Sequence, residues 1–274
     1  MATEVYPFQS SDAERSRLIA QADVVGPLTQ RLLDRAGIGS GMRVLDIGCG
    51  PGDVAFMAAR RVGHEGNVLG VDRDPTQLAL AARRAERDGL ANVRFIEGDF
   101  RELALDAPVD AIVGRLVLMY ALDPLDALRR ALRHLRSGGV IALQESIIDY
   151  DGPVPIEPRD CLAARAVEWF RAGFRHAGVQ PRMGLRLFGL MRDAGLELAP
   201  DIDTLAPIQH GDALFRTLAA VVRSQLGAIV ASGAATADEI DVDTLEQRLA
   251  GDAAGRATVG YFHSGHAAVW ARKP

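Results

Sequence analysis

The stretch Val44 to Asp53, V-L-D-I-G-C-G-P-G-D, decides how the rest of the chain is read. Its first half is a short apolar run, and its second half sets Gly48, Gly50 and Gly52 in a G-x-G-x-G turn. Glycine reaches positive φ and lets a ligand approach the backbone with no Cβ in the way, so the pattern reads as a strand entering a ligand-binding turn. A dinucleotide fingerprint, G-x-G-x-x-G, would need its third glycine where Asp53 stands. Asp46 and Asp53 instead flank the turn with carboxylates, which would repel a pyrophosphate and favour a cationic ligand. Downstream, Asn67 to Asp72 (N-V-L-G-V-D) reads as a second strand, ending in an acid placed to accept hydrogen bonds from two ribose hydroxyls. Together these features point to a nucleoside with a positively charged tail.

Working outward, strands expected at 43–47, 67–71, 92–96, 109–113 and 139–145 alternate with helices at 53–62, 75–88 and 124–136 and a short helix near 101. Asp74-Pro75 and Asp123-Pro124 each read as an N-cap followed by proline at the first helical position, and Gly89 and Gly138 as helix stops. The alternation predicts an α/β fold: a Rossmann-like, seven-stranded doubly wound sheet with a final antiparallel strand and a helical lid. Before the core, residues 11–36 carry an apolar stripe, with Ser11 and Glu14 in capping-box spacing, and Gly26-Pro27 predicts a division into two helices. After Tyr150 the proline-rich D-G-P-V-P-I-E-P reads as a loop. Helices are expected at 158–177 and 184–194, a sixth strand at 196–208, helices at 212–232 and 236–250, and the final strand at 257–272. The expected units are an N-terminal helical cap at 1–40, a core at 41–150, and a C-terminal part of the core at 151–274 that holds an inserted lid at about 211–252.

At this point the chain resembles the class I S-adenosylmethionine (AdoMet) methyltransferases, and more closely the small-molecule branch that includes the ubiquinone and menaquinone C-methyltransferases. The resemblance covers roughly Met42 to Ser146. It implies AdoMet as cofactor, with S-adenosylhomocysteine (AdoHcy) as product. Asp46, Gly48 and Gly50 would border the methionine moiety, with Cys49 a small filler between the glycines. Asp72 would hold the ribose and Arg73 would pack beside the adenine. E-G-D-F puts Asp99 and Phe100 where the family carries an acid near the adenine amino group, and G-R-L-V-L-M-Y puts Arg115 and Leu116 under the cofactor. The turn L-R-S-G-G-V-I resembles the family's P-G-G turn, with Ser137 in place of proline.

Composition narrows the partners. The 274 residues are 48% apolar and 24% charged, with a net charge of -5, which leaves no basic footprint for a nucleic acid. Cys49 and Cys161 are far apart and show no metal-ligand spacing, so neither a disulfide framework nor a metal site is expected. The first residues, M-A-T-E-V-Y-P-F-Q, have neither a basic start nor an apolar run, and no window is long enough to span a bilayer. A cytoplasmic protein acting on a diffusible, apolar small molecule, with a possible homo-oligomer, is the expectation.

Methyl transfer is a displacement at an activated carbon, so a general base is needed only where the nucleophile arrives protonated. His210 and Glu145 are the candidates singled out, His210 for its place before the 212–232 helix and Glu145 for its place at the carboxyl edge of the fifth strand. His263, His266, Tyr120 and Tyr150 are alternatives. A rival reading is an AdoMet-binding protein of this fold that transfers no methyl group, such as a cyclase or a regulatory binder.

Overall fold

A computed structural model describes residues 12–148, 151–152, 154, 156–261 and 265–274. The N-terminal helix α1 (Asp12–Arg35) leads into β1 (Arg43–Ile47), α2 (Asp53–Val62), β2 (Asn67–Asp72), α3 (Pro75–Arg87), β3 (Val93–Glu97), β4 (Val109–Arg115), α4 (Pro124–Ala131) and β5 (Leu135–Ile147). There follow β6 (Ile156–Glu157), α5 (Leu162–His176), α6 (Met183–Asp193), β7 (Glu197–Leu198), β8 (Asp203–Leu205) and β9 (Ile208–His210). The last elements are α7 (Gly211–Ser224), α8 (Leu226–Ala231), α9 (Ala237–Ile240), α10 (Leu245–Asp252), β10 (Val259–Tyr261) and β11 (Gly265–Arg272).

The main sheet runs β3-β2-β1-β4-β5-β11-β7, with β8 also paired to β11. The five strands from β3 to β5 are parallel, and β11 enters antiparallel against β5. The order reverses between β1 and β4, the crevice where open α/β sheets bind ligands beyond their strand ends. One face, with Val113, Ala142 and Ala268, packs against Leu28, Leu32 and Leu33 of α1 and Ala55 and Ala59 of α2. The other, with Ile112, Ile141 and Val269, packs against α4, α5, α6 and the later helices. Both faces are covered, which is why these strands read as near-continuous apolar runs.

Several expected boundaries shift. Residues 12–35 form one helix with Pro27 inside it rather than two. Val25, Leu28, Leu32 and Leu33 are buried on either side of the proline, so tertiary packing outweighs the lost backbone hydrogen bond. The 124–136 helix ends at Ala131, a short 3-10 turn follows, and β5 begins at Leu135, so Ser137-Gly138-Gly139 lies within the strand rather than at a helix end. The expected sixth strand is broken into β7, β8 and β9, since Pro200 and Pro207 interrupt its ladder. The expected final strand divides too: β11 joins the main sheet, whereas β10 pairs with β9 and β6 in a separate three-stranded sheet. The 212–232 helix breaks at Gln225, and Asp241, at φ 42°, separates α9 from α10. Ser11, Tyr150 and His263 lie outside the described residues.

Candidate active site

The glycine turn owes its shape to specific contacts. Gly48, Gly50 and Gly52 all have positive φ, at 59°, 49° and 92°. A Cβ on Gly48 would lie 2.8 Å from Val117, whereas one on Gly50 would meet no atom within 4 Å. Gly48 is therefore required by packing, and Gly50 leaves an open cradle. Asp72 organises both rims of that cradle. Its carboxylate accepts the Gly50 N–H at 2.8 Å on one oxygen and the Asp74 N–H at 3.0 Å on the other. Burial raises its pKa, while those two backbone N–H groups favour the charged form and pull the pKa back down. Behind the turn, Arg84 pairs with Asp53 at 2.7 Å, donates to the Pro51 carbonyl at 2.6 Å and covers the Phe56 ring.

The turn opens on a cavity of about 510 Å³. Gly48, Cys49, Gly50, Asp72, Arg73, Phe100, Arg115 and Leu116 all line it, so most of the expected cofactor contacts converge. Cys49 is a buried thiol whose pKa is pushed well up by burial and then by Asp46 and Asp72, which leaves it an inert filler. Leu116 holds a left-handed φ of 58°, uncommon for a residue with a Cβ.

Four of the expected residues lie off the cavity wall. Asp46 does not line the cavity. It is buried beneath the turn, neither carboxyl oxygen meets a hydrogen-bond partner, and burial drives its pKa well up against the pull of Arg115. Asp99 is also off the cavity wall. Burial pushes its pKa up, but Arg101 and Arg73 both bond its carboxylate and hold it far below the usual range, so it anchors two arginines that line the cavity. His210 is exposed on β9 and faces no part of the cavity. Glu145 is fully buried, and its Oε1 accepts the Val117 and Leu118 N–H groups at 2.9 and 2.7 Å, so it serves the loop after β4 rather than a reacting atom. Of the alternatives, His266 is buried outside the cavity wall, its pKa lowered to about 3 by burial and then by Arg115, whereas Tyr120 lines the cavity.

One group on the cavity wall was not expected from the sequence. Glu14, Arg17 and Gln21 of α1 are buried against the cavity. Arg17 donates to both Glu14 carboxylate oxygens at 2.7 Å and to Gln21 Oε1 at 3.0 Å. The signal was present: positions 14, 18, 21, 25, 28 and 32 form one 3-4 stripe, and two of the six are polar in a stripe that otherwise reads as core.

Residues 38–168 match the family model described as a methyltransferase domain. With the sheet order and the glycine turn, this defines a class I AdoMet-dependent methyltransferase domain, which the chain carries. Methyltransferases are among its curated relatives. The trans-aconitate 2-methyltransferase of Azoarcus sp. (strain BH72) is 36% identical over 122 residues, covering 44% of this chain and 46% of that one. The ubiquinone/menaquinone biosynthesis C-methyltransferase UbiE of Idiomarina loihiensis is 36% identical over 115 residues, covering 41% and 46%. The matched part is thus about half the length of either relative. Among solved structures, the [4+2]-cyclase SpnF aligns over 90% of this chain and 81% of its own, with a TM-score of 0.57 and 23% identity, a likeness of fold. No helix among the described residues is long and apolar enough to cross a membrane.

Proposed function

We propose that the chain transfers a methyl group from AdoMet to a small molecule. The observation that carries this reading is the open cradle at Gly50, tied by its N–H to the Asp72 carboxylate at 2.8 Å and facing the cavity. Each Asp72 oxygen keeps capacity for a further donor beyond its backbone N–H, which suits it to two ribose hydroxyls. AdoMet, when bound there, supplies a methyl group on a positively charged sulfur.

The opposite wall is the acceptor side in this reading. Phe174 and Val221 give it an apolar part, and the Glu14–Arg17–Gln21 cluster gives it a polar end, so the acceptor is amphipathic rather than wholly apolar. No histidine is among the described residues that line the cavity, Glu14 is paired with Arg17, and Asp53 is paired with Arg84. The wall therefore suits a nucleophile that needs no strong base, such as a carboxylate or a stabilised carbanion, with Tyr120 the titratable hydroxyl within reach of the cavity. The helix α1 and the helix α7 serve as the cover that excludes water. Incubation with methyl-labelled AdoMet and a panel of small carboxylic acids, enols and active-methylene compounds tests the proposal. Label in a product supports transfer; tight AdoHcy binding with no label in any product would reduce the chain to a non-methylating binder.

A further inference from the structure

Glu145 is a buried carboxylate with an unusual task. It stands on β5, in register with Ala267 of β11, and its two neighbours Gln144 and Ser146 point to the other face of the sheet. Its Oε1 accepts two backbone N–H groups, from Val117 and Leu118, while Oε2 is buried with no hydrogen-bond partner. Those two N–H groups begin the 3-10 turn Leu118–Tyr120 and have no partner earlier in the turn. The Glu145 side chain thus caps that turn from a neighbouring strand. The capped segment is a wall of the cavity, to which Leu116, Val117, Met119 and Tyr120 all contribute, and it begins at Leu116 in its left-handed conformation. Val117 also fills the space beside Gly48 that a Cβ would need, so the capped loop touches the glycine turn itself.

We propose that Glu145 is a positioning residue for the AdoMet site: by capping the turn at Val117 and Leu118 it holds the Leu116–Tyr120 wall, and through Val117 the glycine turn, in the shape that receives the cofactor. The cap needs an acceptor with charge behind it, because hydrogen bonds to an ionised group are roughly twice as strong as those to a neutral one. Burial in an apolar setting opposes that charge and raises the carboxyl to about 7, the loop N–H groups of Val117 and Leu118 pulling it back. No other charge reaches it. Asp46, Arg115 and His266 share the opposite face with Gln144 and Ser146, and on α6, which packs Gly184 against the Glu145 carbonyl, Arg186, Arg192 and Asp193 are exposed. The strength of the cap is therefore set by pH near neutrality, and so is the order of the wall.

This inference rests on the reading of the cavity as an AdoMet site, and the two fail differently. AdoHcy binding is measured by calorimetry between pH 6 and 8 for the wild type, Glu145→Gln and Glu145→Met, with near-ultraviolet circular dichroism as the check on folding. Absence of any AdoHcy binding to the wild type would sink the reading of the cavity. Given wild-type binding, the expected result is an affinity that strengthens severalfold from pH 6 to 8, a smaller pH dependence in Glu145→Gln, and at least tenfold weaker binding in Glu145→Met. A wild-type pH profile retained in Glu145→Gln overturns the inference even if Glu145→Met fails to fold. Unchanged affinity in a folded Glu145→Met does so as well.

Discussion

At the scale of single residues, the three glycines and Asp72 divide the work of the turn. Gly48 and Gly50 share a left-handed φ, which costs a residue with a Cβ about 1–2 kcal/mol. Their surroundings differ: a methyl on Gly48 would overlap Val117 at 2.8 Å, and one on Gly50 would enter open cradle. Gly48→Ala should therefore lose stability and AdoHcy binding together. Gly50→Ala should lose only about 1–2 kcal/mol of stability yet bind AdoHcy at least tenfold more weakly, because its methyl stands where the ligand approaches. Thermal melts and calorimetry on the two proteins separate these outcomes, and equal losses of binding per unit of lost stability would contradict the cradle. If Asp72 anchors the ribose, Asp72→Ala removes its hydrogen bonds to the ligand, and the expected loss of AdoHcy affinity is at least about 1.5–3 kcal/mol. The Gly50 and Asp74 N–H groups are freed at the same time, so Asp72→Asn, which keeps an acceptor oxygen, should lose less. Calorimetry that finds both variants equal to wild type would reject Asp72 as the ribose anchor.

At the scale of elements, the long β5 strand shows what a buried acid costs. The Glu145 carboxyl is raised from 4.5 to about 7 by burial, so the folded state is harder to ionise than the unfolded one. Its contribution to stability is fully present below pH 4.5 and is lost as pH rises towards 7, staying flat beyond. The loss amounts to about 3 kcal/mol, from 1.36 kcal/mol per pKa unit. Glu145→Gln cannot ionise, so its stability relative to wild type should rise by about that amount between pH 4.5 and pH 8, as read from urea midpoints at each pH; a constant difference would mean that the carboxylate is not desolvated. Elements were legible in the sequence in proportion to how local their cause is. The Asp74-Pro75 and Asp123-Pro124 starts are local chemistry, and both helices begin there. The division of residues 12–35 at Pro27 was expected on local grounds and failed, because burial on both sides of the proline is a tertiary matter. Likewise the glycine turn and Asp72 could be read from spacing alone, whereas the role of Glu145 depends on Val117 and Leu118 arriving from a different strand end. Nor does anything in E-G-D-F reveal that Arg73 and Arg101 converge on Asp99.

At the scale of the whole molecule, the cavity is closed by elements distant in sequence: the turn after β1, the loop after β4, and the faces of α1, α5 and α7. A ligand there binds only the assembled fold, and AdoHcy at 100 times its Kd should stabilise the protein by about 2.7 kcal/mol, a rise in Tm of roughly 5–10 °C. The buried Glu14–Arg17 pair sits on the acceptor wall of the same cavity and gives the sharper prediction. Arg17→Met takes the bidentate partner away from the buried Glu14 carboxylate, and breaking a buried pair in this way should cost about 3–5 kcal/mol. Replacing both partners with apolar residues of similar volume is often neutral or stabilising, so the Glu14→Leu, Arg17→Met double variant should recover most of that loss. If the pair is kept to orient an acceptor, the double variant will show the full AdoHcy shift in Tm and fail in methyl transfer, with the defect in the acceptor KM. A double variant that is stable, binds AdoHcy and turns over acceptor like wild type would show that the pair only fills the α1 interface, and the polar end of the acceptor would have to be sought elsewhere on the cavity wall.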